Sequence, residues 1–406
     1  MEKKNKEKHS YLTYILIVVL IIFISLLVFK LITTNVYIGK TIKDIKQENL
    51  RNYPKDKPIQ IGVVWPFFLD KDDNYFKEGV LLALEEINKK KVLGRTINAL
   101  FEDDKWDVDV AQNIAKKFAT NEDIVAVIAH DDIELAIPAS ISYEYSGTIM
   151  ISPAVSHPLF TRMKFDYIFR NTPSDIMIGE ALANIASLLN YRKIIILNSR
   201  DTYSETLTKI FTKKAMQNGI NIMYSNKFHS NEENFLNILT DISPQINKTI
   251  DYDAIFIAGD EINVPLFIKN ARKKGIYAPF LTGDILDSPA LLEIGEDAEN
   301  TLVATIYNEE LLNTKMQNFI NLFRKTYDKK PDTWAAQGYD AIMLLAQTIE
   351  KVGSLDSSLI ATQLKYTKQY DSIFGEYSLN ERGDVIDREI HFKIVKNNKF
   401  SYLDLK

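Results

Sequence analysis

The chain contains no cysteine. This excludes disulfides, thiolate metal sites, a cysteine nucleophile and a lipid-modified N-terminal cysteine. Glycine is scarce, 15 in 406 residues, and no two glycines lie two apart. G-x-G-x-x-G is thereby excluded, and neither the phosphate-cradling G-x-x-x-x-G-K nor the G-x-S-x-G elbow of a serine hydrolase occurs. The five histidines, His9, His130, His157, His229 and His391, form no H-E-x-x-H or similar ligand pair. Excess positive charge is also missing: the formal net charge is −5, with no basic stripe interleaved with aromatics, which argues against nucleic-acid binding. No nucleophile stands with a base and an orienting group. These absences point to a binding protein rather than an enzyme, without a cofactor.

What is present is a globular composition, 46% hydrophobic and 25% charged, in a chain long enough for two lobes and an appendage. The appendage is N-terminal. Residues 1–10 carry Lys3, Lys4, Lys6 and Lys8, and residues 11–29 (YLTYILIVVLIIFISLLVF) hold no charge. A helix of about 20 apolar residues spans a bilayer, and preceding lysines place the N-terminus inside. A cleaved signal peptide would have a shorter apolar region and a small-x-small site. The sequence favours an uncleaved anchor, giving a cytoplasmic tail at 1–10, a transmembrane helix at 11–32 and a polar, lysine-rich stalk at 33–57. The folded body is then expected on the extracytoplasmic side of the cell membrane, held by a single pass.

From Pro58 onward, short β-rich runs alternate with helical spacings: strands at 59–64, 96–101, 124–129 and 148–151, helices at 75–90, 108–119 and 135–145. The alternation restarts at Ile176, with strands at 193–198, 220–224, 254–258 and 278–282. It predicts two consecutive α/β units with parallel sheets, joined near Asn171–Asp175. Two long helices follow, at 308–327 and 331–352, and then a tail of β-hairpins. In such sheets ligands bind outside the carboxyl ends of the strands. The loops there are acidic, with Asp72, Asp103, Asp104, Asp131, Asp132, Asp201, Asp260, Asp284 and Asp287 against Lys71, Lys105 and Arg200. An acidic mouth favours cationic ligands. Aspartate is also a preferred helix N-cap, so more than half of these acids are expected to be caps or solvated loop residues. The cluster His130-Asp131-Asp132 with Glu102–Asp104 lacks calcium-loop spacing and reads as a solvated loop rather than a cation site.

One strand ends in Met-Ile-Ser-Pro-Ala-Val-Ser-His-Pro, residues 150–158, where two prolines fix the backbone around two hydroxyls. This segment, together with Glu78-Gly-Val-Leu-Leu-Ala-Leu-Glu-Glu-Ile-Asn88, Glu102-Asp-Asp104, Phe169-Arg170, Gly338-Tyr-Asp-Ala341, Phe374-Gly375 and Gly383-Asp384, resembles the type I periplasmic binding proteins, specifically the branched-chain amino-acid-binding group of ABC importers. The resemblance runs from about Pro58 to the C-terminus. It implies two Rossmann-like lobes joined by hinge crossovers, lobe 1 from 58–174 and 308–373, lobe 2 from 175–307 and 374–406.

It also implies a monomer or weak dimer that closes on a small amine-bearing ligand and docks on an ABC permease. The resemblance assigns Ser152, Ala154 and Ser156 to the head group of the ligand, Asp284 to its ammonium, and Tyr203 to an aromatic contact from lobe 2. The usual carboxylate-gripping serine falls near Ile133, in Ala-His-Asp-Asp-Ile-Glu, and the usual aromatic-glycine step falls on Asp72-Asp73. A hydroxyl that holds carboxylate is thus missing while acids gather. This points to a basic amino acid, an amide or a polyamine-like compound. A sensory module for a separate partner and a ligand-free interaction protein are the alternatives.

Overall fold

The computed structural model describes residues 40–69, 74–229, 232–243 and 251–403. Among them no helix is long and apolar enough to cross a membrane. The expected tail and anchor, 1–32, lie outside the described residues, as does Asp72.

The first lobe is built on five parallel strands: β1 (Ile59–Trp65), β2 (Ile97–Asp103), β3 (Ile124–Ile128), β4 (Ile149–Ser152) and β5 (Ile168–Arg170), in the order β2-β1-β3-β4-β5. β3 and β4 are wholly buried and read as continuous apolar runs, as strands covered on both faces must. One face carries helices Val108–Thr120 and Ile133–Ser146. The other carries helices Phe76–Lys90, Thr314–Tyr327, Thr333–Val352 and Ser357–Lys365. Gly79 lets two of these helices touch: a Cβ there would lie 2.0 Å from the Ala335 carbonyl oxygen. That contact explains the small residue inside Glu78–Asn88.

The second lobe holds β6 (Lys193–Asn198), β7 (Asn221–Lys227), β8 (Ala254–Ala258), β9 (Phe280–Thr282) and β10 (Thr301–Thr305), all parallel. A small antiparallel sheet follows in the chain: β11 (Tyr370–Ser372), β12 (Gly375–Leu379) and β13 (Val385–Ile386). The last strands, β14 (His391–Lys396) and β15 (Lys399–Tyr402), extend the second sheet antiparallel, giving β15-β14-β10-β9-β8-β6-β7. Helices Asp175–Leu188 and Thr202–Gln217 cover one face, and Asn263–Lys273 with Glu232–Ile242 the other.

Two expected boundaries shift. Residues 374–386 belong with lobe 1, where Phe374, Tyr377, Leu379 and Val385 enter its core. Arg170 fastens them, its backbone N–H donating to Gly383 O at 3.0 Å and its side chain pairing with Asp384 at 2.7 Å. Only β14 and β15 join lobe 2. The segment expected as a stalk contains helix Ile42–Arg51, and its residues 46–53 pack into lobe 1 through Leu50 and Tyr53. Lys46 is buried there, donating to Phe118 O (3.1 Å), Ala119 O (3.3 Å) and Thr148 Oγ1 (2.6 Å). The ammonium thus caps carbonyls at the C-terminal end of helix Val108–Thr120, where a cation is favoured. Burial still pushes the Lys46 amine down to about 7, with Glu122 acting the other way.

The chain crosses between lobes after β5, after β10 and after β13. Arg388, fully enclosed, reaches all three connections: Nη1 donates to Asn171 O (2.8 Å) and Nη2 to Ile306 O (2.7 Å), while Arg388 itself lies on the third. Its guanidinium stacks 3.6 Å from the Phe374 ring centroid.

Candidate functional site

Both sheets turn their carboxyl ends toward one cleft, where the lobes meet. His157 Nε2 lies 2.9 Å from Thr206 Oγ1 of the opposite lobe.

The Ser-Pro-Ala-Val-Ser segment is braced from behind. Ser152 is buried and its hydroxyl is used locally, donating to His130 O at 3.1 Å and accepting from Val155 N at 3.0 Å. It therefore shapes the segment and does not present a free hydroxyl to a ligand. Arg170 Nη1 donates to Val155 O (2.8 Å) and Gln337 Nε2 to Pro153 O (2.9 Å). Ala154 and Ser156 remain half-buried on the cleft side of these braces.

Ser156 leads to the acid at the centre. Its carbonyl accepts from Asp175 N at 2.9 Å. Asp175 is fully buried, and burial pushes its carboxyl up to about 7; the nearby Ser156 side chain and Arg170 pull it down, and Asp284 pushes it further up. Ser156 is close enough to favour the charged form, yet neither carboxylate oxygen has a well-formed hydrogen bond. Asp284, from the turn after β9, accepts from Tyr203 OH at 2.8 Å. Burial raises the Asp284 carboxyl, and burial with Asp284 and Asp175 nearby raises the Tyr203 phenol far above its usual range. Gly283 is required by this pair, since a Cβ there would lie 2.2 Å from Tyr203 OH. Ser204, next to Tyr203, is absorbed into the helix start, donating to Asp201 Oδ2 at 2.7 Å.

The acids of the first lobe divide. Asp104 and His130 are wholly buried and paired, Nδ1 to Oδ2 at 2.7 Å. The expectation of a solvated loop fails for them: the imidazole follows the apolar β3 inward and takes Asp104 with it. Among the described residues no group of three or more histidines and acids could hold a metal ion. Asp131 is pushed up to about 8, first by burial and then by Asp104 and Asp132, and its Oδ1 is buried without a partner. Asp132 caps its helix, accepting from Glu134 N at 2.7 Å, and feels the charge of Asp201 across the cleft. Ile133, the first residue of that helix, is half-buried and packs against the core, and its side chain offers no polar group to a ligand.

The cleft therefore gathers Ala154, Ser156, Asp175, Tyr203 and Asp284, with Asp131 on the neighbouring strand end. Asp260 stays apart: it is exposed and accepts from Ile262 N (2.9 Å) and Asn263 N (2.7 Å), a capping role. Asp287 is engaged by Lys393 at 2.9 Å. Sequence reasoning placed Asp175 in a linker and missed it. The signal was available, since Ser174 already occupies the N-cap and Asp175 follows it unasked. The supports Arg170, Gln337 and Arg388 carried no local signal of their roles.

Comparison with known proteins agrees with this architecture. The family described as Periplasmic binding protein matches residues 58–395. The leucine-, isoleucine-, valine-, threonine- and alanine-binding protein of Pseudomonas aeruginosa is 24% identical over 311 residues, covering 76% of this chain and 82% of that protein. An ABC transporter substrate-binding protein from Desulfitobacterium hafniense, solved in complex with Leu, is 32% identical with a TM-score of 0.77, covering 86% of this chain and all of the other (100%). A leucine-binding protein from Thermotoga maritima is 26% identical with a TM-score of 0.73, covering 85% of this chain and 98% of the other. These relatives are named for binding solutes, not for catalysis. The chain belongs to the periplasmic binding protein family, with the type I, branched-chain amino-acid-binding-like form of ABC transporter substrate-binding proteins.

Proposed function

We propose that the protein is a membrane-anchored, extracytoplasmic solute receptor of an ABC importer, which captures an amino acid or a related amine by closing its lobes. The observation that carries this reading is the convergence of Asp175, Asp284 and Tyr203 near Ser156, with both Asp175 carboxylate oxygens buried and neither in a well-formed hydrogen bond. A buried carboxylate without a partner is costly, and an ammonium cures it through charge-assisted hydrogen bonds. The leucine complex of the Desulfitobacterium relative and the name of the Pseudomonas relative support an α-ammonium as that cation.

Closure follows from differential contact. Ala154 and Ser156 belong to one lobe, Tyr203 and Asp284 to the other, so a ligand that touches both stabilises the closed arrangement over the open one. The apolar stretch at 11–29, with lysines before it, supports tethering near a permease, which raises the effective concentration of the pair.

The test is thermal unfolding of the full-length protein, in detergent, against amino acids, amides and diamines. A ligand at 100 times its Kd adds about 2.7 kcal/mol of stability. A shift that disappears in Asp284→Asn supports the reading. A cooperative melt unmoved by every compound sinks it and favours a ligand-free interaction protein.

A further inference from the structure

One buried side chain joins the Ser-Pro-Ala-Val-Ser segment to the hinge. Gln337, fully enclosed on helix Thr333–Val352, uses both ends of its amide. Nε2 donates to Pro153 O at 2.9 Å, and Oε1 accepts from Arg388 Nη1 at 3.2 Å. A guanidinium only donates and a proline carbonyl only accepts, so the amide fits in one orientation. The same Arg388 Nη1 donates to Asn171 O on the first connection between the lobes, and Nη2 to Ile306 O on the second. Asn171 is bound back to the helix, its Nδ2 donating to Gln337 O (3.1 Å) and Asp340 Oδ2 (3.2 Å). Tyr377 OH donates to the same Asp340 oxygen at 2.7 Å. Gln337 and Asp340 stand three residues apart, on one face of the helix. One helical turn therefore holds Pro153, the first connection, and Arg388 of the third.

This arrangement leaves little slack. Gln337, Asn171, Asp340 and Arg388 are all buried. Where water does not replace a lost partner, breaking one of these bonds strands a polar group, so the bonds shift together. Hinge closure turns backbone dihedrals in the connections and moves Asn171 O and Ile306 O relative to each other. Arg388 follows both carbonyls, Gln337 follows Arg388, and Pro153 O follows Gln337. The Pro153 carbonyl shares a rigid peptide plane with Ala154 N, so its setting orients the backbone that enters Ala154 and Ser156.

We propose that Gln337 is a positioning residue that couples the grip of Ala154–Ser156 to the hinge. The chain Pro153–Gln337–Arg388 passes ligand contact at the segment to the three connections, and closure back to the segment, as coupling in both directions requires. The inference rests on the receptor reading above and concerns how capture is transmitted, not what is captured.

The experiment places nitroxide labels at Asn113→Cys and Lys213→Cys, exposed positions on one helix of each lobe, in the full-length protein in detergent. The absence of cysteine from the chain makes this labelling specific. Pulsed electron resonance reads the distance between labels, without ligand and with saturating leucine, lysine or leucinamide, and titration calorimetry reads affinity. With Gln337 intact, at least one compound is expected to shorten and narrow the distance. Gln337→Met, close in volume but without the amide, is expected to bind that compound about tenfold more weakly, the scale of one or two hydrogen bonds, and to keep a longer, broader distance at saturation. Arg388→Lys, which leaves Gln337 Nε2 on Pro153 O, is expected to weaken binding as well, and the double variant to bind no more weakly than the weaker single one. A Gln337 that merely supports the fold would lower the melting temperature and leave closure complete. Full closure of saturated Gln337→Met, or additive losses in the double variant, would overturn the proposal while leaving the receptor reading standing. No shortening with any compound, in a protein that melts cooperatively with Gln337 intact, would overturn both. Should Gln337→Met fail to fold, Arg388→Lys is judged by the same criterion of closure.

Discussion

In lobe 1 the cleft-facing segment is held from behind. Ser152 ties it to His130, Arg170 grips Val155 O and Gln337 grips Pro153 O. In lobe 2 the cleft carries little more than one tyrosine, two aspartates, Asp175 and Asp284, and the glycine that lets Tyr203 and Asp284 meet. One lobe supplies a backbone fixed in place, and the other supplies charge. A rigid receiver needs many braces because each donor and acceptor must hold its geometry without the ligand. A charge supplier needs only burial, which raises the demand of its carboxylate for a partner.

The sharpest way to break the contrast is to remove a brace. Arg170→Ala takes the guanidinium from Asp384 and leaves Val155 O without its donor, while Thr161 Oγ1, which Nη2 reaches at 2.9 Å, keeps only its bond to Asp384. Loss of one partner from such a buried pair costs about 3–5 kcal/mol. Urea unfolding is expected to report that loss whether or not a ligand is present. Asp284→Asn does the opposite. It keeps an acceptor for Tyr203 and removes a buried charge, so the free protein is expected to melt no earlier, while ligand affinity falls on the order of 100-fold by titration calorimetry.

The pH dependence sharpens the same contrast. Burial lifts Asp175 to about 7 and Asp131 to about 8, both above the ordinary 3.8. Over that interval the folded state holds more protons than the unfolded chain, so stability is greatest below it and is lost as pH rises through about 8. Melting of the ligand-free protein is therefore expected to occur several degrees lower at pH 8 than at pH 5. Asp175→Asn is expected to flatten the slope, and a steeper slope in that variant would contradict the assignment. The smallest effect belongs to Asp260→Ala. It removes a cap, costing about 1 kcal/mol, and leaves ligand titrations unchanged.

The contrast also shows which parts were legible in the sequence. The alternation of β3, β4, β6 and β8 with amphipathic helices wrote the two sheets plainly, because buried parallel strands are continuous apolar runs. Asp284 and Tyr203 were found through the resemblance of their segments. Asp260 and Asp284 follow strands of the same sheet and read alike, yet one is exposed and the other half-buried, with its carboxylate held by Tyr203. The sequence carries no measure of how deep a loop folds back, and depth decides between cap and ligand contact. The braces were unreadable for a related reason. Arg170 meets Asp384, and Gln337 meets Pro153, across long separations in the chain that no local pattern spans. Tyr377 was assigned to the wrong lobe because a β-hairpin pattern does not say which core its apolar face will enter.

The segment before Pro58 has a practical consequence. The family match begins at residue 58, and an expression boundary drawn there would discard Leu50 and Tyr53 from the core. It would also strip Phe118 O and Ala119 O of the Lys46 ammonium and Arg95 Nη2 of its 3.2 Å bond to Tyr53 O. The smallest autonomous body of this receptor therefore starts ahead of its recognisable domain, and a truncation meant to isolate the fold would instead leave it with an open flank.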